Sequence, residues 1–242
     1  MSQLCYQLAS QGVIVAAVEH RDGSGCGSYF VEEEEGGETK MTSVPHEHVA
    51  TDENELSRRS EQIKLRSDEV QRTIDVLEKL NSGEIVKNFV VDSLLTKLTT
   101  IKGNFDMENN LFLVGHSFGG STVILASSED SRVKSVLALD PWMFPLSQSS
   151  FVINTPTLVI NTEKFVNQNN INVIKKAKGG EEKVRFKVMK SGVHLSATDV
   201  PAMFPSKLIR KGLGFMDKVD PSTVMKETHQ LVLDWFKKVV SC

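Results

Sequence analysis

Short runs of apolar, β-branched residues alternate along this chain with longer stretches whose apolar positions recur every three or four residues. That alternation predicts strands joined by helices. Val13-Ile14-Val15-Ala16-Ala17-Val18 is closed by the polar string Glu19-His20-Arg21-Asp22, the pattern of a strand buried on both faces. Residues 111–114, 133–139, 156–161 and 184–189 form four more strand runs, the last with more alternation. Helical spacing is found over residues 3–10, and over 53–80, where Leu56, Ile63, Val70, Ile74 and Leu77 share one face. Asn81-Ser82-Gly83 stops that helix. Further helices are predicted around residues 91–98, over 121–128, and over 222–240, where Val224, Leu231, Leu233, Trp235 and Phe236 are available for a core.

Strands separated by helical stretches imply crossover connections, hence an α/β fold with a mostly parallel sheet and helices on both faces. No repeat or interdomain linker interrupts residues 1–242, which read as a single domain. Residues 22–52 are rich in Gly, Glu, Ser and Thr and read as a loop. Within it Glu32-Glu33-Glu34-Glu35 is a solvated run, and His46-Glu47-His48 a surface string rather than a metal site. A net charge of −3 with dispersed basic residues gives no reason to expect nucleic acid. Cys5, Cys26 and Cys242 are odd in number and far apart, matching neither a disulfide framework nor a metal-ligand spacing. No apolar run approaches the ~20 residues that span a bilayer. The first residues lack the basic flank and apolar core of a signal peptide, so a cytoplasmic location is the expectation, with secretion open to a longer form.

The chemistry sits after the strand run at 111–114. Gly115-His116-Ser117-Phe118-Gly119 follows a strand and precedes a helix, the context in which G-x-S-x-G forms a nucleophile elbow. The Ser117 hydroxyl would be lifted above the sheet edge at a helix N-terminus, with the Phe118 N–H as an oxyanion donor. A serine needs a base oriented by a carboxylate. In α/β-hydrolases the chain order is Ser, acid, His. Two histidines lie downstream: His229, inside the closing helix, and His194, in a loop directly after the last strand and therefore the better base. Asp140 and Glu163 both follow strand runs, and position alone leaves both open as the acid. No cofactor motif and no converging set of metal ligands accompanies them.

Gly115-His116-Ser117-Phe118-Gly119-Gly120 and Leu139-Asp140-Pro141-Trp142-Met143-Phe144-Pro145-Leu146 together resemble the platelet-activating factor acetylhydrolase family, also called lipoprotein-associated phospholipase A2. Val18-Glu19-His20-Arg21-Asp22, Ile160-Asn161-Thr162-Glu163-Lys164-Phe165 and Gly192-Val193-His194 extend the similarity to the C-terminal helix. The resemblance implies an α/β-hydrolase with Ser117 as nucleophile, Asp140 as acid and His194 as base. It also implies calcium-independent hydrolysis of short or oxidised sn-2 acyl chains of phospholipids, and transient contact with a membrane or lipoprotein surface. By the same resemblance Trp142 and Phe144 would line the acyl pocket; core packing is their other reading. Three departures stand out. Pro141 replaces an expected alanine, Leu195 an expected polar residue, and nothing before Val13 matches the strand and His-Gly loop that donate a second oxyanion N–H. The N-terminal strands are therefore expected to be missing. A catalytically impaired form, or a serine esterase of other specificity, is the alternative. The sequence gives no oligomeric state.

Overall fold

The computed structural model describes residues 1–34, 38–86, 102–190, 192–204, 206–216 and 218–240. They fall into two compact units, one of Met1–Ala17 with Phe112–Cys242, the other of Val18–Leu111. Helix α1 (Ser2–Ser10) opens the first unit. The second contains β1 (Ser28–Glu33), β2 (Thr39–Val44) and α2 (Glu55–Ser82). The first then resumes with β3 (Phe112–His116), α3 (Phe118–Glu129), β4 (Ser135–Leu139), β5 (Thr157–Thr162), α4 (Gln168–Lys176), α5 (Gly180–Lys183), β6 (Val184–Met189), α6 (Lys207–Gly212) and α7 (Pro221–Val240).

In the second unit α2 buries Ile63, Val70 and Ile74, as its spacing predicts, and ends at Gly83 in the left-handed region with φ 87°. Charges on the buried face are paired, as burial requires. Glu69 accepts from the Arg21 N–H at 3.0 Å and meets His20 Nδ1 at 2.8 Å, while Arg66 lies 3.3 Å from Asp22. The loop expected over residues 22–52 contains the antiparallel β1–β2 hairpin, with Ser28 opposite Val44. Almost all of its side chains are exposed, so the ladder satisfies backbone groups without producing an apolar pattern. His46 and Glu47 serve local contacts there: His46 Nδ1 meets the Gly25 carbonyl at 3.2 Å, and Glu47 pairs with Arg58. The helix expected around 91–98 lies outside the described residues.

In the first unit four parallel strands run in the order β3-β4-β5-β6, with His116 level with Leu139 and Leu139 level with Ile160. Strand β4 is buried at every position, so both faces of the sheet are covered there. Leu137, Leu139, Ile160 and Met189 pack with Leu4 and Leu8 of α1 and with Val224, Val232 and Phe236 of α7. Val136 and Ala138 lie on the opposite pleat of β4, and α3 packs against β3 and β4. The strand expected over 13–18 is not one. Among the described residues no strand pairs with it, Val13 and Ile14 are exposed, and Val15 packs against the core of the first unit. An apolar, β-branched run becomes a strand only where a neighbour completes its ladder. Helix α4 was not foreseen because it buries little besides Asn170 and Ile174; the Asn167 side chain caps it by accepting from the Asn169 N–H at 2.8 Å. No helix among the described residues is long and apolar enough to cross a membrane.

Strand β3 passes into α3 through a backbone contact that excludes one side chain and tolerates another. A Cβ on Gly115 would lie 2.1 Å from the Gly119 carbonyl oxygen, whereas a Cβ on Gly119 would meet nothing within 4 Å. Gly115→Ala is therefore expected to abolish cooperative folding or lower Tm sharply. Gly119→Ala should leave Tm unchanged or raise it by a few degrees, through the ~0.4–1 kcal/mol that such replacements contribute at compatible positions. Thermal melts of both variants check this, and equal losses would contradict it.

Candidate active site

Ser117 sits between β3 and α3 with φ 56° and ψ −119°, a conformation that non-glycine residues rarely adopt. Backbone hydrogen bonds on both sides hold it there: its N–H donates to the Leu139 carbonyl at 2.9 Å, and its carbonyl accepts from the Trp142 N–H at 3.0 Å. Asp140, the residue after β4, is also strained at φ 43°, and its N–H donates to the Ile160 carbonyl at 2.8 Å. Strain of this kind persists where surrounding bonds over-determine it, characteristically at functional sites.

A continuous hydrogen-bond chain runs through these residues. His194 Nε2 lies 2.9 Å from Ser117 Oγ, and His194 Nδ1 lies 3.2 Å from Asp140 Oδ2. With Nδ1 against a carboxylate, the proton sits on Nδ1 and the Nε2 lone pair accepts from the serine hydroxyl. Asp140 is 2% exposed, yet its oxygens are satisfied. The Thr162 N–H donates to Oδ1 at 2.6 Å and the Thr162 hydroxyl to Oδ2 at 2.7 Å. Asp140 thus stays a fixed acceptor facing the imidazole. The arrangement can draw a proton from Ser117 onto His194 while a buried carboxylate holds the ring.

Glu163, the other acid considered, is exposed and outside this chain; its backbone N–H donates to the Met189 carbonyl at 2.9 Å. His229 is buried in α7, its Nδ1 has no hydrogen-bond partner among the described residues, and burial pulls its pKa down. Phe118 is the first residue of α3. Its ring meets Trp142 edge-on at 5.4 Å, and Trp142 stacks on Phe144 at 5.7 Å, giving an aromatic row beside Ser117. Both Trp142 and Phe144 remain half-exposed while the intervening Met143 is fully buried, so the core takes the methionine.

Sequence reasoning passed over three participants. Thr162 is one: it lies just past the strand run read over 156–161, and it closes β5 in the structure. His116 is the second, adjacent to the serine: its ring stacks on His194 at 4.5 Å and its Nε2 donates to the His194 carbonyl at 2.9 Å. Phe165 is the third, stacked on the other face of His194 at 4.0 Å. His116, Asp140 and His194 offer ligand-type atoms within 4.8 Å of one another, but these atoms are engaged with each other, Ser117 and Thr162.

A parallel sheet carrying a strained serine on a strand–helix turn, backed by His and Asp from later strand ends, is the architecture of an α/β-hydrolase. The comparisons agree. The sequence matches the family described as platelet-activating factor acetylhydrolase, isoform II, over residues 1–241, and the chain belongs to that family. It is 33% identical over 238 residues to a platelet-activating factor acetylhydrolase of Cavia porcellus, covering 98% of this chain and 53% of that protein. To the Gallus gallus platelet-activating factor acetylhydrolase it is 29% identical over 250 residues, covering 99% and 58%. The chain therefore spans somewhat more than half the length of these relatives. Among solved structures, a ferulic acid esterase from Streptomyces cinnamoneus superposes with a TM-score of 0.51 at 15% identity, over 86% of this chain and 55% of that one, a likeness of fold.

Burial, with His194 as the next contributor, lowers the His116 pKa from 6.5 to about 4. Between those values the unfolded chain binds a proton at residue 116 that the folded chain does not. The stability contributed by neutral His116 is thus present above pH 6.5 and lost as pH falls toward 4. His116→Gln removes this contribution, so its unfolding free energy should fall less steeply across that window. Urea unfolding at a series of pH values reads the slope, and equal slopes for both proteins would refute the assignment.

Proposed function

We propose that this chain carries the catalytic machinery of a serine esterase that removes short or oxidised acyl groups from the sn-2 position of phospholipids such as platelet-activating factor. The Ser117–His194–Asp140 hydrogen-bond chain on a strained elbow carries the reading, and family membership supports the substrate class. Ser117 Oγ attacks the ester carbonyl as His194 Nε2 takes its proton. The negative charge then develops on the carbonyl oxygen beside the start of α3, where the Phe118 N–H is the proposed donor. Collapse expels the sn-2 alkoxide of the lysophospholipid, which takes the proton back from His194. Water activated by the same imidazole releases the acid from the acyl-serine. Asp140, anchored by Thr162, fixes the tautomer and balances the imidazolium. The aromatic row of Phe118, Trp142 and Phe144 is the proposed wall of the acyl site.

Contact with a membrane or lipoprotein surface belongs to the same proposal. The segment following His194 exposes Met203, Leu208, Ile209 and Leu213 together, with Lys207 and Lys211 beside them. Apolar side chains flanked by cations suit a phospholipid surface, where the chains insert and the ammonium groups meet phosphates.

Labelling by a fluorophosphonate probe tests the chemistry: the wild-type chain should react and Ser117→Ala should not. Absence of Ser117-dependent labelling in folded protein would sink the reading. Asp140→Asn is expected to lower kcat roughly 10³- to 10⁴-fold, whereas Glu163→Gln should stay close to wild type; the reverse order would move the acid to β5. For the surface, Leu208→Asp/Ile209→Asp should weaken co-sedimentation with phosphatidylcholine vesicles containing some phosphatidylserine, and leave hydrolysis of a soluble short-chain ester unchanged. Unaltered sedimentation would remove this segment from the interface.

A further inference from the structure

The imidazole of His194 has restraints beyond its bonds to Ser117 and Asp140. His116, the last residue of β3, covers one face of the ring with centroids 4.5 Å apart and planes 29° from parallel. Phe165, just past β5, covers the other at 4.0 Å and 14°. Each plate is tied to the sheet: His116 is a rung of β3, level with Leu139, and the Phe165 N–H donates to the carbonyl of Thr162, the last residue of β5. His116 adds a directional bond, its Nε2–H donating to the His194 carbonyl at 2.9 Å.

Geometry explains why such restraints are needed. The 3.2 Å separation of Nδ1 from Asp140 is longer than the ~2.7–2.9 Å of a good charge-assisted bond. The carboxylate is committed to shorter bonds of 2.6 and 2.7 Å from Thr162. His194 lies in a loop whose own closure is the short turn in which the Ser196 N–H donates to the Val193 carbonyl at 2.8 Å. The outer torsion of a histidine is broad. A ring turning about it would lose the serine and the aspartate in one movement, so something other than Asp140 must hold the plane.

We propose that His116 is a positioning residue for the base: its Nε2–H pins the His194 carbonyl to the end of β3, and its ring and Phe165 form two plates that keep the imidazole where it reaches Ser117 and Asp140 at once. The proposal rests on the esterase reading of Ser117 and His194. The role requires His116 to be uncharged, since a cation against this face would oppose the imidazolium formed when Ser117 gives up its proton. Burial keeps it so. Phe165, on the opposite face, presents a π surface that favours the same imidazolium.

The test compares His116→Ala with His116→Gln, whose side-chain N–H replaces Nε2–H at similar reach. On a soluble short-chain ester His116→Ala is expected to lower kcat roughly a hundredfold, the scale of a misplaced reacting group, with KM changed little. Fluorophosphonate labelling should slow in parallel, and His116→Gln should recover most of both losses. Nitrogen-edited proton NMR gives a readout independent of turnover: the His194 Nδ1–H signal should broaden in His116→Ala and return in His116→Gln. A His116→Ala variant with wild-type kcat, a loss confined to KM, equal losses in the two variants, or an unchanged Nδ1–H signal would each overturn the proposal. Ser117→Ala separates the two levels. Ser117-dependent labelling with no effect of residue 116 defeats this inference alone, whereas absence of any Ser117-dependent labelling defeats the reading beneath it.

Discussion

The parallel hydrogen-bond ladder continues past the strand ends, and the site is hung on the rungs that continue. The Ser117 N–H donates to the last carbonyl of β4, the Asp140 N–H to the β5 carbonyl of Ile160, and the Glu163 N–H to the last carbonyl of β6. Ser117 and Asp140 are therefore spaced by the sheet itself, at the ~4.8 Å that separates neighbouring strands. Two residues in left-handed backbone conformations cost on the order of 1–3 kcal/mol each. These rungs, with the Trp142 N–H closing on the Ser117 carbonyl, offset that cost and leave neither residue another conformation.

The same strand order explains the shape of the third element. His194 follows β6, whereas Ser117 follows β3, so the loop bearing His194 must fold back across the ends of β5 and β4 to reach the serine. Its loop passes over Thr162, and the approach is close: a Cβ on Gly192 would come within 3.0 Å of the Thr162 methyl carbon. Thr162 thereby supports the loop from below while binding the carboxylate beside it. A loop reaching over two strands cannot inherit the precision of the sheet, and the aromatic plates on either side of His194 supply what the ladder does not.

Much of this was legible in the chain. The runs that became β3 to β6 are apolar because β4 and much of β5 are covered on both faces, and burial of that kind writes itself into sequence. Ser117, Asp140 and His194 were also visible, since each directly or closely follows such a run. Which carboxylate meets His194 stayed ambiguous on position alone because Asp140 and Glu163 each come one residue after a strand. What separates them is that one side chain turns into the sheet edge and the other into solvent, and pattern does not record that. Thr162, His116 and Phe165 escaped notice for a related reason, because their contacts with the triad join residues from different strand ends. The segment at 13–18 failed in the opposite direction: its composition is that of a strand, but strandedness depends on a partner.

The aromatic row at the site has a consequence for observation. The chain contains two tryptophans. Trp142 lies half-exposed between Phe118 and Phe144, two residues from Asp140. Trp235 packs against the core with its indole N–H donating to Ser135 Oγ at 2.7 Å. One indole therefore samples the proposed acyl site and the other samples the helix–sheet packing of α7. If the proposed acyl site is occupied there, the expected change in intrinsic fluorescence comes from Trp142, with Trp235 a steady background until α7 detaches. The proposed site thus has a candidate reporter of its own, without an added label.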